Sequence, residues 1–406
     1  MEKSVNRWGI ALAGVVMQLL LGTVYGWSVF KRPLMESHGW TGVQVGLAFT
    51  IAIFCLGAAA ALGGKFVDKA GARKVATTAA ILFGVGTLLA GYANSIGSLW
   101  LLWLGYGVIA GIGNGLGYIT PIAVLVRWFP DKRGLITGLA VMGFGFGSAL
   151  IGQFVPLLLP SIGITSTFYV LGIIYLIILG LAAQFLNNPP EGWTLPASAG
   201  AKGKPQAAIV KSLDLREALG TFQFYILWLV LFINVMAGMA LISNMSPMAQ
   251  AQLGVTAVVA GTLVFTASIF NGLGRVFWAS LSDKIGRKNV FLIMLSSQIP
   301  VFFLLPQASN IWIFGAMCCY ILSCLGGGFA TMPSFAVDTF GPKNCGNIYG
   351  KVLLAWSLAG VVGPLLMEYV LNVTSSFSMA LIIASGILAV GVLLVSLYKK
   401  PEAVTA

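Results

Sequence analysis

GGKFVDKAGARK at residues 63–74 and SLSDKIGRK at residues 280–288 are two versions of one phrase. Each ends a long apolar run and carries an aspartate, a lysine, a glycine and then basic residues, with Asp68 and Asp283 separated by 215 positions. A phrase repeated at that distance in a chain of 406 residues points to a duplicated architecture, so periodicity outranks any single motif.

Both copies follow the second apolar run of a set of six. The first set covers about 8–30, 42–64, 75–94, 99–126, 135–159 and 165–186; the second covers about 222–245, 255–281, 289–308, 311–335, 347–370 and 375–398. Each run is near the roughly 20 residues that cross a bilayer as a helix. A second repeated pair, GYITPIAVLVRWF at 117–129 and GFATMPSFAVDTF at 328–340, keeps nearly the same shift. Composition agrees: 58% of the residues are hydrophobic and 8% charged, against roughly 25% charged in soluble domains. The expectation is an all-α membrane protein of twelve transmembrane helices in two six-helix repeats, residues 1–186 and 222–406, with a linker at 187–221. The linker opens on NNPPEGWTLP and ends on SLDLREAL, where Asp214 and Glu217 have capping-box spacing and predict a short helix. Parallel repeats of this kind suit a secondary transporter with its site between the halves.

A net charge of +12 would suggest nucleic acid only if the charges shared one exposed surface. With the N-terminus in the cytoplasm, all but Lys31, Arg32 and Arg275 of the 23 lysines and arginines fall on the cytoplasmic side, as the positive-inside rule requires. That places the chain in a cell membrane, the inner one in a bacterium, with both termini cytoplasmic, a lipid bilayer as its surroundings and no nucleic-acid partner. The first run is too long for a signal peptide and is expected to be retained. The five cysteines have no CxxC spacing and read as small buried residues. No metal site or cofactor is expected.

The loop phrase resembles that of the major facilitator superfamily, where it follows the second helix of each half; Ala72 replaces one basic position in the first copy. The resemblance covers the whole chain and implies the fold of that superfamily. It also implies a cytoplasmic gate at Asp68, Arg73, Asp283, Arg287 and Arg133, in which aspartates bond arginines and helix ends in one state and release them in the other. RWFPDKRG at 127–134, GFGFG at 143–147 and FNGLGR at 270–275 are similar to the oxalate and formate antiporter branch, near which bacterial lactate carriers lie.

Arg275 reads as the single charged residue inside a hydrophobic span. Its cost in hydrocarbon is roughly 2.5 to 17 kcal/mol, which a water-filled cavity and an anion would offset. It lies eight residues before Asp283, about 12 Å along the helix. No Asp or Glu is expected at that depth, so the substrate itself is the expected counterion. Asn271 is one turn away on the same face and can bond a second carboxylate oxygen or a hydroxyl. Tyr25, Tyr118, Phe144, Phe329 and Trp356, in helices that line the pore of this fold, complete the expected substrate site: the tyrosines as hydroxyl donors, the others as walls. For each of these a plain packing role competes.

Trp356 narrows the substrate. The oxalate carrier of that branch has a lysine at the aligned position, and one arginine without a second cation suits a monoanion. The expected function is therefore transport of a small monocarboxylate of the lactate, pyruvate and formate class by alternating access, coupled to a proton and carried out by a monomer. An oxalate/formate-type antiporter is the alternative within the class, and an anion channel or a membrane enzyme the alternative outside it. An enzyme would need a His, Asp or Glu constellation at matching depth, and the spans offer none. The only histidine, His38, is expected in an outer loop, which leaves the proton without an obvious carrier.

Overall fold

The computed structural model describes residues 6–129, 133–190, 212–341 and 344–399. A few side chains within these ranges, including those of Asp68 and Arg133, lie outside the described residues, as does the linker interior at 191–211. The described residues form helices and no strands.

The first crossing is α1 (Arg7–Leu21) joined to α2 (Ser28–His38) through a tight turn at Gly22–Gly26. It is followed by α3 (Gly42–Ala70), α4 (Ala72–Ser95) and α5 (Leu99–Trp128). Arg133–Phe185 is one continuous helical run broken at Gly163, where φ is 72° and ψ 170°. We number its parts α6 (133–162) and α7 (164–185). Among the described residues, eleven helices are long and apolar enough to cross a membrane. Gly138–Phe185, with 48 residues, would be about 72 Å long at 1.5 Å per residue, enough for two crossings of a roughly 30 Å core. The broken helix thus supplies two of the twelve crossings.

In the second half α8 (Leu215–Leu219) is the expected short helix, with Asp214 and Glu217 completing its capping box. The seventh crossing is α9 (Phe222–Ile242) with α10 (Met245–Leu253), and the eighth and ninth are α11 (Ala257–Ile285) and α12 (Arg287–Leu304). The tenth is α13 (Ile311–Phe340), the eleventh α14 (Cys345–Val352) with α15 (Leu354–Thr374), and the twelfth α16 (Phe377–Leu397). His38 lies in the last turn of α2 rather than in a loop, and its ring bonds the Asn94 carbonyl at 2.7 Å.

The repeated phrase has a repeated geometry. α3 and α11 each have 29 residues, and each begins after a threonine, Thr41 or Thr256, that accepts from a backbone N–H in the first turn. Each ends on a glycine with positive φ, 87° at Gly71 and 90° at Gly286, and the next helix starts at once. A side chain at either glycine would strain that corner.

Two glycine-bearing stripes join the halves. On α3, Gly42, Gly46, Ile53, Gly57 and Gly64 share one face by their spacing of four and seven. Glu368 packs on Gly42 and Gly46, Gly360 on Ile53 and Ser357 on Gly57, each so closely that a Cβ at Gly42, Gly360 or Gly57 would overlap its neighbour. At Gly64 and at Gly350 of α14, by contrast, an added Cβ meets no described atom within 4 Å. The second stripe, Gly152, Gly145 and Gly138 of α6, repeats the pattern against α11: Gly152 meets Gly261, Gly145 meets Gly272, and Gly138 meets no described atom within 4 Å. Among the described residues the halves therefore touch from the face holding α2 and α10 down to mid-depth and leave Gly64, Gly350 and Gly138 open towards the face where Asn6 and Lys399 lie. We refer to these as the far face and the terminal face.

Candidate functional site

Five aromatic residues meet where the halves cease to touch. Phe144 of α6 lies edge-on to Tyr25 and Tyr118, with ring centroids 5.2 and 5.1 Å apart. Trp356 of α15 is 5.2 Å from Tyr118 and 4.9 Å from Phe329, and Phe329 lies 5.5 Å beneath the Arg275 guanidinium. The structure thus gathers Tyr25, Tyr118, Phe144, Phe329, Trp356 and Arg275 from six different crossings into one cluster, all of them buried.

Local departures from regular helix aim these side chains. Tyr25 belongs to the tight turn Gly22–Gly26, and the Phe144 carbonyl lies so close to Gly22 that a Cβ there would overlap it. Asn114 donates to the Leu21 carbonyl at 2.9 Å and Gln18 to the Tyr118 carbonyl at 2.8 Å, which ties that turn to α5. Trp356 follows the α14–α15 junction, its N–H bonding the Leu353 carbonyl at 2.9 Å. α11 approaches α13 through Gly326, where a Cβ would lie 2.7 Å from Asn271 Oδ1 and 3.1 Å from Arg275 Cγ.

Arg275 is 2% exposed, and no carboxylate among the described residues pairs with it. Its Nε and Nη1 have no hydrogen-bond partner, nor does the Asn271 side chain, while the buried Tyr25 hydroxyl and Trp356 side chain are close enough to bond each other. Tyr118 is close enough to Arg275 for a side-chain hydrogen bond. Unpaired donors beside a buried cation are what an anion site requires, since each costs about 1–3 kcal/mol while it stays unbonded. Asn271 faces α13 rather than the rings. Sequence reasoning passed over Ser148 and Ser268, whose hydroxyls bond each other across the halves at 2.8 Å while Ser268 also donates to the Gly145 carbonyl at 2.8 Å. Ser268, Asn271 and Arg275 are spaced three and four apart, and that spacing was the available signal.

Two further buried charges correct the reading of Arg275 as the single charge within a span. Lys31 of α2, 3% exposed, forms an ion pair with Glu368 of α15, 2% exposed, and bonds Asn244 as well. Glu368 lay within the expected eleventh span and was missed because it sits near its end. Twelve residues separate it from Trp356, about 18 Å along the helix, so Arg275 still has no acid at its own level.

The residues expected to form a gate lie at the terminal face. Asp283 pairs with Arg287 at 2.5 Å, and Arg287 reaches Asp338 of α13 at 3.3 Å, a cluster inside the second half. Arg73 is exposed, and the side chains of Asp68 and Arg133 lie outside the described residues.

The model of the major facilitator superfamily matches residues 5–226 and again 227–406. This chain belongs to that superfamily. It is 31% identical over 371 residues to the oxalate:formate antiporter of Oxalobacter formigenes, covering 88% of this chain and 83% of that one. It is 26% identical over 306 residues to the apicoplast pyruvate carrier 1 of Toxoplasma gondii, 61% of this chain and 55% of that one. Its fold matches the crystal structure of a D-xylose-proton symporter with a TM-score of 0.78 at 16% identity, over 98% of this chain and 99% of that one. The chain is a multi-pass membrane transporter with the major facilitator fold.

Proposed function

We propose that this transporter carries a small monocarboxylate of the lactate, pyruvate and formate class by alternating access, with Arg275 binding the carboxylate. The observation that carries the reading is the buried guanidinium with unpaired nitrogens and no acid partner among the described residues, set against aromatic rings. A planar carboxylate would accept two bonds from that fork, while Tyr118 and Tyr25 supply hydroxyls and Phe144, Phe329 and Trp356 enclose a short apolar tail. Asn271, set against α13, positions the arginine and can reach a 2-oxygen if α11 turns. The positive-inside rule makes the terminal face cytoplasmic, so the chain sits in the cell membrane with the wider separation of its halves on the cytoplasmic side, and Asp68, Arg73, Arg133, Asp283 and Arg287 close that side in the cycle. Residues 1–186 and 222–406 move as the two units about the 187–221 linker, within a single chain. Arginine does not titrate usefully, so a coupled proton travels with the substrate, through the tyrosines and water, or through acids at the cytoplasmic gate.

Exchange of one carboxylate for another is the second reading, favoured by the identity with the oxalate:formate antiporter. The test is uptake of labelled lactate into proteoliposomes. Arg275→Ala abolishes it and Arg275→Lys loses most of it, while both proteins insert normally. Uptake by Arg275→Ala at the wild-type rate would sink the assignment.

A further inference from the structure

The far face carries a buried ion pair between the halves. Lys31 comes from the first half, and both of its partners, Glu368 on α15 and Asn244 at the α9–α10 junction, come from the second. Glu368 is the one buried carboxylate among the described residues, and its side chain lies against Gly42 and Gly46 of α3. The neighbouring charges do not compete for the pair: Arg32 bonds Glu36 at 2.8 Å and Gln250 at 3.0 Å, both in exposed settings, and His38 is engaged with Asn94. These contacts all sit at the end of the stripe where the halves touch.

From this placement we infer that Lys31 and Glu368 are the latch of the far face, the pair that must separate before a substrate can reach Arg275 from that side. The pair joins the two halves and nothing within either one. Separating the halves there exposes both charges to water, which repays much of the cost of parting them. Removing one charge alone has a different effect: it leaves the other buried without a partner, and the closed far face becomes the less favoured state. The latch belongs to the two-faced cycle proposed above, but not to the identity of the substrate.

Hydrogen–deuterium exchange of the full-length protein in lipid nanodiscs, without substrate, tests it. In Glu368→Gln, exchange of the peptides spanning α2 and α10 rises about ten-fold or more, a conservative share of what stranding a buried charge costs. At the same time the terminal-face ends of α3 and α11 become more protected, because the halves close there. Lys31→Gln behaves alike, and the exchanged pair Lys31→Glu with Glu368→Lys returns both faces towards the wild-type pattern. Asn244→Ala keeps both charges and gives a smaller shift of the same sign, which serves if a charge variant fails to fold. Unchanged exchange, a rise on both faces together, or no recovery in the exchanged pair overturns the latch. Because no substrate is present, loss of the Arg275 assignment would leave this result standing.

Discussion

Trp356 closes the ring cluster by touching Tyr118 on one side and Phe329 on the other, and Phe329 in turn lies beneath the guanidinium. A cation at 356 would therefore face the same ring, Phe329, as Arg275. In Trp356→Lys, oxalate should become the better competitor of labelled lactate uptake by about ten-fold or more, since a close pair of opposite charges is worth at least about 1.5 kcal/mol. If oxalate competes no better than in the wild type, residue 356 does not set the charge of the substrate. Most of this cluster was legible in the sequence, because an arginine amid apolar residues announces its own cost and the pore-lining helices limit which rings can reach it. Lys31 and Glu368 were not legible as a pair. Each lies near the end of an apolar run, where a charge is ordinarily solvated, and 337 positions separate the partners.

Glycine does its work differently along each helix of the interface. Gly152 and Gly138 lie on one face of α6, yet the first is pressed against Gly261 and the second meets no described atom within 4 Å. Gly152→Leu should overpack the closed end and lower stability by about 1–3 kcal/mol, read as a fall in melting temperature. Gly138→Leu should leave that temperature unchanged and still stop transport, because α6 and α11 could no longer approach at the terminal face. A fully active Gly138→Leu protein would show that this end never closes. The positions of these helices follow from hydropathy, but their breaks do not. Gly163 divides a 53-residue helical run with a single positive φ, and the tight turn that aims Tyr25 depends on how closely Gly22 meets the Phe144 carbonyl, a tertiary contact.

At the scale of the molecule, twelve crossings were readable from the apolar runs, and the duplication with its repeated corner at Gly71 and Gly286 from one phrase, because a corner with positive φ leaves a glycine in the sequence each time. Which face is closed was not readable, since the same residues serve both states of the cycle. The arrangement of charges leads to a kinetic expectation. In the exchange reading, where no proton accompanies the substrate, an empty carrier must occlude Arg275 unpaired whereas a loaded one occludes a neutral pair, so labelled substrate should leave preloaded vesicles faster when unlabelled substrate is present outside. Equal rates with and without outside substrate would mean that the empty return is not the slow step. Under that reading Arg275 also gives the cycle an electrical character. If its charge shifts through the bilayer during the empty return, a potential of 100 mV contributes up to about 2.3 kcal/mol to that step and almost nothing to the neutral loaded one. Voltage would then set how fast the carrier resets, leaving substrate translocation itself nearly indifferent to it.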